Sequence, residues 1–407
     1  MNRRAVAIVL ALLFLAPVAV RVMPVYGRSN AEWTLAVYLD ADNDLELWAE
    51  KDIKEMMTVG STGAVNIIVF WDTLAGPAHA YRVLRNSLEE LTGFRLNGVE
   101  PNMGDPATLR EFVTYVFKNY PARRYALLGW DHGDDFKGSM YDRHIPYEGF
   151  DLLTHQEVVK ALTGFHIDVL IYGACVLSTI EVAYEYSASG LNIDYYVANE
   201  GYDPMDGFPY DTILAKLVAK PAISSLDLSK TFVDDYIDYY NNGGKAYSQS
   251  VTLSVVQISR VGQVVTDLRA MTQAIMTDMA GYAQIVSDAR GHANLPWSEN
   301  GWDRLIDLPT FVMTIHDESL NPKLVSAVDP TVVSLVVAKS ETLLSSLSNA
   351  IIYNRNVDAM NNKGCLGMAV YFPTSQATYQ NDKQLYEQMK LAQQGWPDFL
   401  NAYWAAR

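Results

Sequence analysis

The sequence predicts an α/β protein with a mostly parallel central sheet. Strand-like and helix-like segments alternate from Trp33 to about residue 200, which is typical of parallel βαβ units. The strand-like segments show little apolar–polar alternation, as expected of strands buried on both faces. Two of these segments end just before a histidine, His132, and a cysteine, Cys175. Because ligands bind at the carboxyl ends of the strands in such sheets, this edge is the predicted functional site.

The elements of this first part follow from local patterns. Runs rich in aliphatic and aromatic residues predict strands at residues 33–39, 65–70, 125–130, 168–172 and 195–198. Helices are predicted at residues 45–59, 106–119, 154–162 and 177–187. Asp105 and Pro106 supply an N-cap and an N1 proline for the second helix, and Thr154 with Glu157 forms a capping box for the third. Residues 80–84 and 91–94 predict a short hairpin around Asn86.

The pattern changes after residue 209. Residues 227–240, 261–286 and 330–350 are predicted to be helical, and residues 367–372 form a late strand that packs on the core. The Asn-Asn-Gly-Gly sequence at residues 241–244 is a helix stop and turn. We therefore predict a domain over residues 28–245 that carries the site, and a mainly helical C-terminal region over residues 246–407.

The N-terminus has the composition of an export signal. Arg3 and Arg4 precede an apolar run over residues 5–20, and Val25-Tyr26-Gly27 offers a cleavage site. An uncleaved membrane anchor is the alternative, but the run is shorter than the about 20 residues that a spanning helix needs. We expect residues 1–27 to be a signal peptide and the protein to be secreted. Membrane contact is expected only through this segment, if it is not cleaved.

The chain is strongly acidic. Its formal net charge is −16, and cleavage after Gly27 would remove three arginines and leave −19. Such a surface repels nucleic acid and anionic lipid, so neither is expected as a partner. Protein or peptide substrates are the expected partners, with a loose electrostatic preference for basic ones.

The chain has two cysteines, Cys175 and Cys365. In an exported protein they could form one disulfide, but a disulfide would occupy the predicted nucleophile. Cys365 lies in an apolar segment, residues 364–372, that is typical of a buried strand, where a small buried cysteine is common. We expect both thiols to be free.

His132 and Cys175 together form a candidate catalytic dyad. A free thiol has a pKa near ~8.5, so it needs an imidazole or a helix N-terminus nearby to become a thiolate at neutral pH. Cys175 directly precedes a predicted helix, whose dipole would help to form the thiolate. The backbone N–H groups of Gly133 and Cys175 are the candidates for an oxyanion hole. These residue types in this arrangement predict nucleophilic catalysis by a cysteine.

The spacing of Asp40, Asp42 and Asp44 is similar to that of a calcium-binding loop. The loop pattern fails, because Leu45 stands where a glycine is needed and Lys51 where a glutamate is expected. Ca²⁺ bound in another geometry stays open as a possibility. The chain has no His-Glu-x-x-His sequence and no cysteine–histidine cluster at ligand spacing, so no metal is expected to take part in the chemistry.

Several short motifs follow one another in order over nearly the whole chain after the signal segment. The motifs nearest the dyad are Trp130-Asp131-His132-Gly133 and Ala174-Cys175, followed by Glu181. The others are Trp33-Thr34, Tyr38-Leu39, Asp42-Asn43-Asp44-Leu45-Glu46, Asn102-Met103-Gly104-Asp105-Pro106, Asp151-Leu152-Leu153-Thr154, Asn199-Glu200, Gly207-Phe208-Pro209-Tyr210, Asp307-Leu308-Pro309-Thr310-Phe311 and Gly367-Met368-Ala369-Val370-Tyr371-Phe372-Pro373. In this order, the motifs resemble those of the clostripain family (C11) of cysteine peptidases, a member of the caspase–gingipain–legumain clan.

The resemblance implies a caspase-like three-layer α/β fold and endopeptidase activity, with Cys175 as nucleophile and His132 as general base. It also implies a preference for Arg or Lys before the scissile bond, and a single chain that cleaves itself between the histidine and the cysteine. The polar, turn-rich segment at residues 137–150 is the predicted processing loop. Arg143 is the first candidate for the cleavage point, and Lys137 is the second.

The chain departs from the family at the pocket for the basic side chain. The family usually places an acidic residue two positions before the cysteine, and this position is Gly173 here. Asp203 and Asp206 could supply the charge from another wall of the pocket, or could serve only the turn in which they lie. The missing acid favours a non-catalytic, peptide-binding relative as the alternative, whereas the intact pair of His132 and Cys175 favours an enzyme.

Overall fold

The computed structural model of the chain describes residues 31–143, 150–242, 251–295, 304–357 and 365–407. The predicted signal peptide, residues 1–27, lies outside these ranges, so it stays a prediction. Within the described ranges, no helix combines the length and the apolar character that crossing a membrane requires.

A nine-stranded sheet forms the middle of the protein, and two small two-stranded sheets, β6 with β7 and β11 with β13, accompany it. The strands of all three sheets are β1 (Ala31–Ala41), β2 (Val65–Thr73), β3 (Gly76–Leu84), β4 (Ser87–Glu90), β5 (Ala122–Trp130), β6 (Ser139–Asp142), β7 (Asp151–Leu153), β8 (His166–Gly173), β9 (Asn192–Ala198), β10 (Thr252–Gln257), β11 (Leu305–Asp307), β12 (Ile351–Asn356) and β13 (Ala369–Tyr371). The spatial order of the sheet is β12-β10-β9-β8-β5-β1-β2-β3-β4. Its central neighbours, from β9 to β2, pair in parallel, and antiparallel strands complete both edges. The predicted mostly parallel centre is confirmed.

Helices cover both faces of this sheet and make three layers. The helices are α1 (Glu46–Val59), α2 (Pro106–Asn119), α3 (His155–Leu162), α4 (Ile180–Ala188), α5 (Tyr210–Ala219), α6 (Ser225–Asn241), α7 (Ile258–Met276), α8 (Met279–His292), α9 (Leu308–Ser319), α10 (Pro330–Ala350), α11 (Gln376–Tyr386) and α12 (Trp396–Ala405). Trp33, Leu35 and Val37 of β1 pack into one core with α1, α5 and α6, whereas Ala36 and Tyr38 pack into the opposite core. Both faces of β1 are therefore apolar, which explains why its sequence does not alternate.

The predicted helix caps are confirmed by side-chain hydrogen bonds. The Asp105 carboxylate accepts the N–H of Ala107 at the start of α2, and Pro106 occupies the first helical position. The Thr154 hydroxyl accepts the N–H of Glu157, whose carboxylate accepts the N–H of Thr154. These caps satisfy backbone donors that have no partner within the helix.

The predicted hairpin is correct in its first strand and wrong in its second. Strand β4 begins at Ser87, directly after Asn86, whereas residues 91–94 form turns. Asn86 has a φ of 62°, in the left-handed region that asparagine tolerates better than most residues. A turn of only two residues therefore connects β3 and β4, and the second strand comes earlier than the sequence pattern indicates.

The C-terminal region contributes strands to the main sheet as well as helices. Strand β10 pairs with β9, and β12 pairs with β10, although the sequence pattern predicts neither strand. The long helix predicted over residues 261–286 is two helices, α7 and α8, separated at Thr277 and Asp278. The predicted late strand is β13, which pairs with β11 in a separate two-stranded sheet. The predicted domain boundary near residue 245 lies outside the described residues.

Candidate active site

Strands β5 and β8 bring His132 and Cys175 to the same edge of the sheet. The two strands pair in parallel with Trp130 opposite Gly173, so each functional residue lies two positions beyond the last pair. We call residues 131–138 the His132 loop and residues 174–179 the Cys175 loop. A Cβ atom at Gly133 would lie 2.2 Å from the carbonyl oxygen of Cys175. Only glycine fits at this contact, and the two loops therefore touch directly.

Buried polar side chains hold the His132 loop. Asp131 is 3% exposed, and its carboxylate accepts hydrogen bonds from the side-chain amide of Asn43 at 2.8 Å and from the N–H of Tyr141. Asn43, which is 1% exposed, also donates to the carbonyl of Tyr141 at 3.1 Å and accepts the N–H of Leu45 at 2.9 Å. Asn43 thus fastens the end of β1 to both sides of the loop that carries His132.

The His132 ring is partly exposed and faces Asp44. Its Nε2 lies 3.3 Å from the Asp44 carboxylate, and the Arg143 guanidinium lies 3.0 Å from the same oxygen. Partial burial would raise the pKa of Asp44, but hydrogen bonds from its own N–H and from His132, with the charges of His132 and Arg143, outweigh burial and lower this pKa. With Nε2 directed to Asp44, Nδ1 is the nitrogen left to exchange a proton with a thiol.

A cleft of about 680 Å³ lies beside the ring of His132. Asp44, Asp134, Tyr141, Arg143 and Phe150 line it together with Asn43 and Gly133. The cleft is large enough for side chains of a peptide.

The Cys175 loop is held chiefly by backbone hydrogen bonds. The N–H of Val176 donates to the carbonyl of Gly201 at 2.7 Å and to the side-chain oxygen of Asn199 at 3.1 Å. The N–H of Ser178 donates to the carbonyl of Asn199 at 2.7 Å. Val176 has a φ of 52°, an unfavourable conformation for a β-branched residue. The loop is therefore strained locally and is fixed by the segment after β9.

The expectation that Cys175 directly precedes a helix is wrong. Helix α4 begins at Ile180, with Thr179 as its N-cap. Strand β8 ends at Gly173, and the positive φ of Val176 is incompatible with a helix at this point, so four residues separate Cys175 from α4. A helix dipole acts within the first turn, and it therefore gives this thiol little stabilisation.

The surroundings of the Cys175 thiol favour its neutral form. Burial raises its pKa to about 12, although the N–H of Asp203, which donates to Sγ at 3.3 Å, acts in the opposite direction. The expected absence of a disulfide is confirmed, because both Cys175 and Cys365 are free. The Cys175 sulfur is thus not held in a disulfide, and its surroundings favour the thiol over the thiolate.

The missing acid leaves Gly173 between two aromatic rings. A Cβ atom at this position would lie 3.3 Å from Phe208 and 3.6 Å from Trp130. The carboxylate of Asp203 accepts a hydrogen bond from the Tyr236 hydroxyl at 2.6 Å. Burial raises the pKa of Asp203 to about 7, and the bond from Tyr236 opposes this. Asp203 is therefore a carboxyl group next to the thiol that ionises near neutral pH.

Asp206, the other predicted pocket acid, already has a counter-ion. It is buried, and its carboxylate lies 3.3 Å from the Lys51 ammonium and accepts the Tyr239 hydroxyl at 3.2 Å. One further acid, Asp52, was not predicted from the sequence. It is 1% exposed, and its carboxylate accepts the indole N–H of Trp130 at 2.7 Å. The two predicted pocket acids therefore differ. Asp203 contacts Cys175 through its N–H, and its carboxylate accepts a hydroxyl group. The carboxylate of Asp206 is instead paired with the Lys51 ammonium.

The two candidate cleavage residues differ in surroundings. Lys137 lies in a short 3₁₀ turn and pairs with Asp134 at 3.2 Å, with 21% of its side chain exposed. Arg143 lies beyond β6, with 54% of its side chain exposed, next to the cleft beside His132. Residues 144–149 of the predicted processing loop lie outside the described residues. Part of that loop is ordered, because β6 and β7 form a small antiparallel pair.

Two of the three aspartates with calcium-like spacing, Asp40 and Asp44, have separate hydrogen-bond partners. The Asp40 carboxylate is buried and accepts the N–H of Asp42, whereas Asp44 faces His132. Within the described ranges, the one group of potential metal ligands that converges to within 4.8 Å is His166, Asp168 and Asp194. It lies at the start of β8 and β9, at the edge opposite the dyad, so it has no part in the chemistry of Cys175.

The clostripain family profile matches residues 37–404. The chain belongs to the clostripain family. Clostripain from Hathewaya histolytica is 28% identical over 227 residues, which cover 47% of this chain and 43% of that protein. The chain therefore aligns with less than half the length of this curated relative.

Solved structures show the same fold. A secreted C11 cysteine protease from Bacteroides thetaiotaomicron, in complex with an irreversible peptide inhibitor, superposes with a TM-score of 0.65 at 17% identity and covers 92% of this chain and 99% of that chain. An inactive zymogen C11 protease from Parabacteroides distasonis gives 0.63 at 17% identity, over 91% of this chain and 99% of that chain. The caspase-like three-layer fold expected from the sequence is confirmed.

Proposed function

We propose that this clostripain-family protein is a secreted cysteine endopeptidase in which Cys175 is the nucleophile and His132 is the general base. The observation that carries this proposal is the contact between the two loops, where Gly133 lies against the carbonyl of Cys175. A peptide placed across this contact would meet a thiol on one side and an imidazole on the other. Both are needed to break an amide bond.

The proposed reaction has two stages. His132 Nδ1 takes the proton of the Cys175 thiol while sulfur attacks the scissile carbonyl carbon, and the N–H groups of Gly133 and Cys175 stabilise the oxyanion. The C–N bond then breaks, and the imidazolium gives its proton to the leaving amine. A water molecule hydrolyses the thioester in the second stage, giving one proton to His132, which returns it to sulfur. This cycle needs no metal or cofactor.

The raised thiol pKa determines when the nucleophile forms. Since burial keeps Cys175 protonated in the free protein, proton transfer to His132 has to accompany attack on a bound substrate. Asp44, whose carboxylate lies 3.3 Å from Nε2, stabilises the imidazolium that results. We infer that the resting protein has a weakly reactive thiol and that a correctly placed peptide is required for catalysis.

We propose Arg or Lys as the residue before the scissile bond, with Asp203 as the acid that receives it. The N–H of Asp203 contacts Sγ of Cys175. The Asp203 carboxylate would therefore be within reach of a substrate side chain that extends past the nucleophile. Gly173 has no side chain, and a Cβ atom there would already crowd Phe208 at 3.3 Å, so this position does not supply the acid itself. Asp206 is assigned to the support of this loop through Lys51.

Arg143 is the proposed point of self-cleavage. It lies beside His132, separated from it by the shared carboxylate of Asp44. Lys137 is the weaker candidate because it lies in an ordered turn. Cleavage after Arg143 would break the chain between β6 and β7 and release the contact between Arg143 and Asp44. Denaturing gels of the wild type and of Arg143→Ala test this directly.

The experiment that tests the proposed function uses the two cysteines as a matched pair. An arginyl chloromethyl ketone should alkylate Cys175 and abolish cleavage of peptides with Arg or Lys at P1. Cys175→Ala should lose the activity, whereas Cys365→Ala should keep it, because Cys365 is buried elsewhere in the fold. Labelling without turnover would favour the alternative, a non-catalytic peptide-binding protein. Wild-type turnover by Cys175→Ala would end the proposal.

A further inference from the structure

We propose that Arg304, from the C-terminal region, is a positioning residue for the His132 loop, so that the C-terminal region is a working part of the active site. The proposal rests on the proposed function, since it assigns a role in that reaction. Arg304 lies directly before β11, more than one hundred residues after Cys175 in the chain.

Arg304 bridges two consecutive acids of the His132 loop. Its Nε donates to the Asp135 carboxylate at 2.6 Å, and one of its terminal nitrogens contacts the Asp134 carboxylate. The side chain of Arg304 is 15% exposed and that of Asp135 is fully buried. A planar guanidinium can satisfy two carboxylates at once, whereas an ammonium group offers a single charged point.

The loop conformation depends on this bridge. Asp135 has a φ of 46°, an uncommon conformation for a residue other than glycine. Burial raises the pKa of Asp135 to about 7, and the charge of Arg304 opposes the effect of burial. The ammonium group of Lys137 pairs with Asp134 at 3.2 Å, and its charge lowers the pKa of Asp135 less than the charge of Arg304 does. Removing the guanidinium would leave a buried acid without its ionic partner in a strained turn.

This turn closes the segment that presents His132 and Gly133. The N–H of Asp134 donates to the carbonyl of Gly138 at 2.9 Å, and the N–H of Met140 donates to the carbonyl of His132 at 3.3 Å. A shift of the turn would therefore move His132 relative to Cys175. Misplacement of a catalytic group by about 1 Å can lower the rate about 100-fold.

The segment that holds Arg304 also holds the Cys175 loop. The carbonyl of Arg304 accepts the N–H of Phe372 at 2.7 Å, which joins it to the end of β13. At the other end of β13, the N–H of Ala369 donates to the carbonyl of Ser178 at 2.8 Å. The same pair of short strands thus contacts both loops and fixes their separation.

The matched control is Arg355, which also pairs with two aspartates. Its terminal nitrogens lie 2.8 Å from Asp234 and 2.8 Å from Asp238, between β12 and α6 and not at either active-site loop. Arg304→Ala should lower kcat about 100-fold with little change in KM, because it disturbs the geometry of the reaction rather than substrate binding. Arg355→Ala should keep kcat within about threefold of the wild type, as expected for a site away from the reacting groups. Millimolar guanidinium should restore part of the activity of Arg304→Ala only.

Equal losses of kcat in the two variants, or wild-type kcat in Arg304→Ala, would overturn the proposal. If Arg304→Ala does not fold, the triple variant Asp134→Asn, Asp135→Asn and Arg304→Met decides, because it removes the charges together. That variant should fold with kcat lowered at least about tenfold, and full activity would refute the positioning role. The absence of any turnover by the wild-type protein would instead contradict the proposed function itself, so the two failures are distinguishable.

Discussion

The His132 loop and the Cys175 loop meet at one sheet edge but are built in different ways. Side chains from distant parts of the chain hold the His132 loop: Asn43 from the end of β1, and Arg304 from the C-terminal region. Backbone hydrogen bonds to residues 199 and 201 hold the Cys175 loop. The histidine is partly exposed in a polar cleft, whereas the thiol is enclosed enough for its pKa to rise to about 12.

The two residues of the proposed dyad therefore have different surroundings that suit different roles. In the proposed reaction, the polar side would stabilise a positive imidazolium through Asp44, and the enclosed side would keep sulfur protonated until a substrate binds. A loop held by a few side chains is also more sensitive to single substitutions than one held by its backbone. The predictions below test that contrast.

The largest expected effect is the loss of stability and kcat in Asn43→Ala, and Asn199→Ala is the corresponding variant of the Cys175 loop. Asn43→Ala removes two donors and one acceptor from buried partners, so it should destabilise the protein by about 2 kcal/mol or more. It should also lower kcat. Asn199→Ala removes only one of the two acceptors of the Val176 N–H, so it should cost about 1 kcal/mol or less. Denaturant unfolding and peptide turnover measure both effects.

Asn66→Ala is the control for this pair. Asn66 is buried in β2 and donates to Thr34 at 3.1 Å, away from both loops, so its substitution should lower stability without lowering kcat at a temperature where the variant is folded. Equal losses of kcat in Asn43→Ala and Asn199→Ala would show that the two loops do not differ as described.

The second prediction concerns Asp203 and pH. Its pKa of about 7 means that the carboxyl is largely neutral at pH 6 and ionised at pH 8. The ratio of kcat/KM for an Arg substrate to that for its citrulline analogue should therefore fall by up to about tenfold between pH 8 and pH 6. Asp203→Asn should make the ratio low and independent of pH, and Asp206→Asn should leave it pH-dependent. A pH-independent ratio in the wild type would remove Asp203 from the pocket.

The smallest predicted effect is on the pH dependence of stability, and it involves two buried acids where the C-terminal region contacts the segment after β9. Glu200 and Asp307 are fully buried, and they accept the N–H groups of Gly367 and Leu366 at 2.8 Å. Burial, followed by the negative charge of Asp307, raises the pKa of Glu200 well above its usual value. Burial raises the pKa of Asp307 to about 6. Acids with raised folded-state pKa values stabilise the fold at low pH, and this contribution is lost as pH rises through about 6 and beyond.

Glu200→Gln tests this linkage because the amide reproduces the neutral acid. The Tm of the wild type should fall more steeply from pH 5 to pH 9 than that of Glu200→Gln, by a difference of about 2 °C or more. Glu111→Gln, at an exposed ion pair, should follow the wild type. Parallel curves for all three proteins would show that the raised pKa of Glu200 does not contribute to stability.

The sequence predicts the parts of the site that depend on local pattern. His132 and Cys175 follow apolar strands, and Gly133 follows the histidine, so their meeting follows from the rules for parallel sheets. Asn43 and Arg304 could not be assigned in this way, because no local spacing links them to a loop 88 or 169 residues distant. The start of α4 was missed although Thr179 is an N-cap residue, since the apolar residues before it continue the helical pattern.

The C-terminal strands were missed for a related reason. Strand β12 follows α10 without an intervening turn, so its sequence gives no sign of the change from helix to strand. Strand β10 is short and is recognised only by its pairing with β9. In both cases the partner strands determine the structure, which is a tertiary effect rather than a local preference.

The most direct test of the account is the pH dependence of Cys175 alkylation by iodoacetamide without substrate, followed by mass spectrometry of the labelled peptide. Because burial raises the thiol pKa to about 12, the rate constant should be low at neutral pH and should still be rising at the alkaline end of the accessible range. The arginyl chloromethyl ketone should nevertheless label Cys175 rapidly at neutral pH, since it occupies the substrate site. An iodoacetamide rate that reaches its plateau below neutral pH would reveal a preformed thiolate and would contradict the account.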